Sequence, residues 1–132
     1  GLHAVNLALV IGEDDGKALT EVAAELNHPA HFLSDSAHPG SLPMAQSFLS
    51  LDARSTVLTS VLPTQEAGVI HVRFHETAGN EDAVTFHLHQ KPRQAELVDL
   101  NGNTMDGDVT IQGDTIRLTA KPRSIGELRI RF

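Results

Sequence analysis

The chain has 132 residues, 40% of them hydrophobic and 20% charged, with ten Gly and six Pro, a balance that excludes disordered, collagen-like and coiled-coil chains and fits one globular domain. Seventeen acidic against ten basic side chains give a formal charge of −7, which repels a phosphate backbone and removes nucleic acid from the expected partners. No apolar run reaches the roughly 20 residues of a membrane span, no basic-then-apolar leader opens the chain, and the lack of Cys rules out disulfides, thiolate zinc sites and cysteine nucleophiles, so no membrane partner and a cytoplasmic location are expected.

The chain opens at Gly1 without an initiator Met and runs directly into Leu2-His3-Ala4-Val5-Asn6-Leu7-Ala8-Leu9-Val10-Ile11. Val5, Leu7, Leu9 and Ile11 recur at every second position, the period that places side chains on one face of a strand. A strand over 2–11 is expected, and a chain that begins inside one reads as a piece of something longer. Gly12-Glu13-Asp14-Asp15-Gly16 then supplies a turn, and Leu19, Val22, Ala23 and Leu26 follow at helical spacing. This predicts a short amphipathic helix over about 16–26, stopped by Pro29. Residues 34–46 concentrate turn formers and two prolines, which marks a boundary between two structural units, 1–46 and 47–132.

Beyond the boundary, strand-like segments arrive with almost no helix signal between them: 48–51, 56–62, 68–75, 83–89, 94–100, 109–112, 115–120 and 127–132. Their spacing is that of an antiparallel β-sandwich, so the expected fold is all-β with one short N-terminal helix. Ile70, Val72 and Phe74 alternate with His71, Arg73 and His75, and Val84, Phe86 and Leu88 alternate with Thr85, His87 and His89, giving each strand one buried and one wet face. Ala78-Gly79-Asn80, Asn101-Gly102-Asn103, Asp106-Gly107-Asp108 and Gln112-Gly113-Asp114 sit where hairpin turns take residues that tolerate positive φ, the last closing a tight hairpin. Lys121-Pro122-Arg123 breaks pairing before the final strand, whose Arg129 and Arg131 are expected to keep an exposed edge soluble.

Eight histidines invite a metal reading. His71 with His75, and His87 with His89, each share one face of a strand, and four imidazoles would meet on one surface if the two strands were antiparallel neighbours. A metal site also wants a carboxylate and defined supporting partners, none of which the sequence places there, so a solvated polar face is preferred. The acidic residues Glu13, Asp14, Asp15, Glu81, Asp82, Asp106, Asp108 and Asp114 fall in turns, where turn chemistry explains them better than a glycosidase pair does. Asp106-Gly107-Asp108 lacks the alternating oxygen ligands and closing Glu of a calcium loop. No Gly-x-Ser-x-Gly elbow, recognisable triad order or glycine-rich phosphate loop is present, and without Trp or Tyr the chain lacks the platforms on which sugars usually stack. Neither a catalytic residue nor a cofactor-binding position is expected in the chain.

The order of segments resembles the end of α-mannosidases of glycoside hydrolase family 38. Gly1-Leu2-His3 leads to Leu7-Ala8-Leu9 and then to Glu25-Leu26-Asn27-His28-Pro29, similar to the family's "ELN-x-P" segment. Ser47-Phe48-Leu49-Ser50-Leu51-Asp52 resembles "SFLS-(V/L)-D". Thr56-Val57-Leu58-Thr59-Ser60-Val61-Leu62-Pro63 and the arginine-bearing Val69–Glu76 follow in the family's order, and Glu96–Asn101 and Lys121–Ile130 resemble its closing strands. Gln65-Glu66-Ala67-Gly68 departs from the acidic-glycine turn expected after Pro63. The resemblance implies a parent that hydrolyses α-mannosidic bonds with retention, using an aspartate nucleophile and a divalent metal, usually zinc, in an N-terminal α/β domain that this chain does not contain. It further implies that 1–46 belongs to a larger central β-domain, that 47–132 is a non-catalytic C-terminal sandwich, and that the partners are the parent's catalytic domain and, in an oligomer, further copies. A stand-alone sandwich binding carbohydrate or protein is the competing expectation.

Overall fold

The structure, a computed structural model, describes residues 1–5, 7–12 and 16–132. Among these residues, one helix, α1 (Gly16–Asn27), precedes eight strands: β1 (Leu49–Asp52), β2 (Thr56–Pro63), β3 (Val69–Glu76), β4 (Asp82–Leu88), β5 (Gln94–Val98), β6 (Thr110–Gln112), β7 (Thr115–Ala120) and β8 (Ile125–Arg131). The expected turn at Glu13, Asp14 and Asp15 lies outside the described residues. Among those described, no helix is long and apolar enough to cross a membrane.

The strands form two antiparallel four-stranded sheets, ordered β1-β4-β7-β6 and β2-β3-β8-β5. Val72 and Phe74 of β3, Leu128 and Ile130 of β8, Val84, Phe86 and Leu88 of β4, and Ile116 and Leu118 of β7 meet between the sheets as one buried cluster. The two-residue period decides this: each strand turns alternate apolar side chains inward, and two such faces exclude water only against each other. Phe74 and Phe86 join the sheets across the core, their ring centroids 5.6 Å apart and the planes tilted by 59°.

Four expectations are corrected. The described residues of 1–12 form no strand and lie exposed, because alternation supplies an apolar face but no sheet edge to pair with. β8 is not an edge: it runs between β3 and β5, and its outward Arg129 and Arg131 pair with Glu96 and Glu66. The turns at 78–80 and 106–108 connect strands of different sheets and so close no hairpin, whereas Gln112 and Thr115 do face each other across a tight β6–β7 turn, with Gly113 at φ 64°. Gly107 has no positive φ; glycine fits there because a Cβ would overlap Leu97.

α1 ends as expected just before Pro29, with a last helical bond from His28 N to Ala24 O. None of its residues is buried. It is tied to the sandwich by Lys17, whose ammonium donates to the Ala53 carbonyl at 2.7 Å. Residues 29–48 carry neither helix nor strand and are exposed almost throughout.

Candidate functional site

The four histidines singled out in the sequence are divided by the topology. β3 and β4 belong to different sheets, so His71 and His75 point away from the core on one side of the sandwich and His87 on the other, with His89 just beyond β4. The one-surface arrangement required those strands to be neighbours, and they oppose each other through Phe74 and Phe86 instead. On the β4 side, register places Ser50 directly across from His87, and Asp52 accepts from His87 Nε2 at 2.9 Å. With His87 46% and Asp52 77% exposed, this is a solvated surface pair. His89 stands edge-on to Phe48 with ring centroids 5.4 Å apart, and its Nδ1 accepts from the Gln46 amide. Among the described residues, no three His, Asp or Glu side chains gather into a group able to hold a metal ion.

On the β3 side, His71 is held by a carboxylate that sequence reading missed. Glu127 lies directly across from Arg73 in the β3–β8 register and is 4% exposed. His71 Nδ1 donates to its Oε1 at 2.6 Å, and Arg73 Nε donates to its Oε2 at 2.7 Å. Burial by itself pushes the Glu127 pKa up, but the bonds from His71 and Arg73 and their charges outweigh it and hold the group below the usual range. Beside it on β8, Arg129 binds Glu96 at 2.8 Å, the Gly102 carbonyl at 3.0 Å and the Thr104 hydroxyl at 3.1 Å, fastening the 99–104 turn to the sheet.

Two more buried carboxylates knit one end of the sandwich. Glu76 accepts from the amides of Ala78 at 2.8 Å, Gly79 at 2.7 Å and Arg123 at 2.9 Å, joining the β3–β4 turn to the β7–β8 turn. Its burial raises its pKa, yet the bonds from Arg123, Ser55, Ala78 and Gly79 win and lower it to about 2. Asp82 accepts from the amides of Arg54, Ser55 and Thr56 and from the Thr56 hydroxyl, which fixes the β1–β2 loop to the start of β4. Thr77 closes the circuit by donating from its amide and hydroxyl to the Ser55 carbonyl. Asp82 is therefore a buried clamp, and its assignment as a solvated turn acid is corrected. Strand parity carried a signal for both: Glu76 shares the inward parity of Phe74, and Asp82 that of Val84 and Phe86.

The chemistry of these five carboxylates suits a structural role. Glu76, Asp82, Glu96, Asp99 and Glu127 are all shifted downward, whereas a glycosidase general acid needs a raised pKa to hold its proton near neutrality. Their oxygens are occupied by structural donors and fit bracing better than proton transfer. A groove of about 260 Å³ runs between α1 and the β1 and β2 edges, lined by Lys17, Thr20, Glu21, Leu49, Val57 and Leu58 among others. A second of about 420 Å³ lies by the 106–108 turn, lined by Leu97, Glu81, Asp106, Asp108 and Lys121 among others. Neither presents an aromatic platform. No protein-family model, curated protein or solved structure matches this chain.

Proposed function

We propose that the chain is a non-catalytic C-terminal accessory domain of a retaining α-mannosidase of glycoside hydrolase family 38, a scaffold that packs against the N-terminal catalytic domain of the same parent. The observation that carries the scaffold role is the contrast between its two parts. The sandwich closes on its own core, while Val5, Leu7, Leu9 and Ile11 and the Leu19, Val22 and Leu26 stripe of α1 are left in water. An apolar surface of that extent on a folded chain marks a contact with something else. The α-mannosidase assignment rests on the ordered resemblance from Glu25–Pro29 through Ser47–Asp52 to Lys121–Ile130. In this reading the aspartate nucleophile and zinc belong to the parent's catalytic domain, which acts in the cytoplasm, and Glu76, Asp82 and Glu127 of this chain brace the sandwich.

The test is an amide NMR titration of the chain with an α-linked mannobiose, with and without zinc, while the sugar's anomeric signals are followed in the same tube. Unmoved amides and intact sugar are expected. Localised shifts at the 106–108 groove or the α1 groove would replace the scaffold with a stand-alone sugar-binding module, and cleavage of the sugar would overturn the non-catalytic reading.

A further inference from the structure

The sandwich is incompletely packed at the end beside the 106–108 turn. A cavity of about 100 Å³ lies there, lined by Phe74, Leu97, Met105, Ala120, Ile125 and Gly126 among others, from strands of both sheets. Phe74 and Ala120 are buried, whereas Met105 is 51% and Ile125 63% exposed, so apolar surface runs from the core out to solvent. The cavity shares Leu97, Asp106, Thr119 and Lys121 with the groove of about 420 Å³ at the 106–108 turn, and the two form one cleft. An apolar cavity of roughly 150 Å³ holds a benzene ring, and sites for drug-sized ligands begin near 300 Å³. The apolar part of this cleft therefore takes a group of about four or five carbons.

Charge decides what that group carries. Every other carboxylate of 47–132 accepts from a donor within the chain. Among the described residues, the Glu81, Asp106 and Asp108 carboxylates have no such donor, and all three line the cleft. Lys121 is the one cationic side chain lining it, and its ammonium has no partner among the described residues either. Arg123 lies against Gly79 and lines neither part. Three carboxylates against one ammonium leave an excess of negative charge beside an apolar cavity, and a complementary ligand joins an apolar body to a positive head. We propose that this cleft binds a compact alkylammonium ion, its branched alkyl group seated against Phe74, Leu97 and Ile125 and its ammonium among Glu81, Asp106 and Asp108. The proposal concerns the sandwich itself and does not rest on the α-mannosidase reading.

Amide NMR titrations of the full chain test it, with 3-methylbutylamine as the probe and methylamine, 3-methylbutanol and 4-methylpentanoate as its comparisons. The amine is expected to bind with a dissociation constant on the order of millimolar, as befits a ligand of so few atoms, and to shift the amides of Leu97, Met105, Asp106, Thr119 and Gly126. Methylamine lacks the apolar body and the other two lack the positive head, so each should bind at least roughly fivefold more weakly. The double variant Asp106→Asn, Asp108→Asn should weaken the amine by about fivefold or more, the scale of two solvent-screened contacts. Lys121→Gln removes a like charge and should tighten it, while Asp114→Asn, which lines neither cavity, should leave it unchanged. Amide spectra away from the cleft should coincide in all four proteins, which separates lost binding from lost folding. The absence of saturable shifts through the millimolar range, equal binding of amine and alcohol, equal binding of methylamine, or an affinity indifferent to Lys121→Gln would each overturn the proposal.

Discussion

Gly126 of β8 stands directly across from Phe74 of β3, and the Phe74 ring fills the space that a Cβ on Gly126 would occupy. A ring folded over a cross-strand glycine covers backbone that glycine leaves bare. Here it also lets Phe74 reach Phe86 in the opposite sheet. Gly126 is therefore required by the packing of Phe74, and by no unusual φ of its own.

Gly126→Ala is accordingly expected to destabilise the chain by about 1–3 kcal/mol, the usual cost of overpacking a core. Urea denaturation reads this as a lower midpoint at unchanged slope, and adding Phe74→Leu should recover part of the loss. A single variant as stable as wild type would mean that the ring is not confined by Gly126.

Glu76 predicts a pH dependence of stability. Its folded-state pKa of about 2 lies below its ordinary 4.5. The ionised group therefore contributes stability that is whole above about pH 4.5 and is lost as the pH falls towards 2. Asp82, Glu96, Asp99 and Glu127 shift in the same direction and add to the same acid limb. Denaturation midpoints measured from pH 7 down to about 2 should fall along this limb, more shallowly in Glu76→Gln, and an unchanged slope in that variant would contradict the clamp.

The Arg73–Glu127–His71 group predicts non-additive losses. Arg73→Ala leaves a nearly buried carboxylate with one charged partner fewer and should cost about 1–3 kcal/mol. His71→Ala costs less, and the double variant should cost more than the two together because Glu127 then keeps neither partner. Simple additivity in a double-mutant cycle would show that each contact acts alone.

The lack of any buried residue in α1 and the exposed stretch at 29–48 predict where a protease cuts. Limited thermolysin treatment, which cuts before apolar residues such as Phe32, Leu33, Leu42 and Met44, should remove residues before about 47 and leave a resistant sandwich, since cleavage follows exposed, unpaired backbone. Amide dispersion of the trimmed product should match that of the same residues in the full chain, and collapse of that dispersion would show that 1–46 supports the core.

Much of this architecture was legible in the residues. Ile70, Val72 and Phe74, and Val84, Phe86 and Leu88, declared their inward faces by period alone, and Gln112-Gly113-Asp114 declared its turn because a tight hairpin requires glycine's freedom at positive φ. The buried carboxylates were half legible. Glu76 and Asp82 carried inward parity, but the amides that tie them to other parts of the chain come from Arg123 and from Arg54–Thr56, far along the sequence.

What the sequence determined by itself was local: strand positions within 47–132, the side of each of those strands that faces the core, the helix and its stop at Pro29, each set by a period or a backbone restriction acting over a few residues; the same period over 2–11 made no strand. Which strands pair was decided only in three dimensions. That choice sent β3 and β4 to opposite sheets and separated His71 from His87, placed β8 inside its sheet, and brought Glu127 under Arg73. Pairing follows from how two apolar faces close over one core, a property of the whole chain that no short window contains.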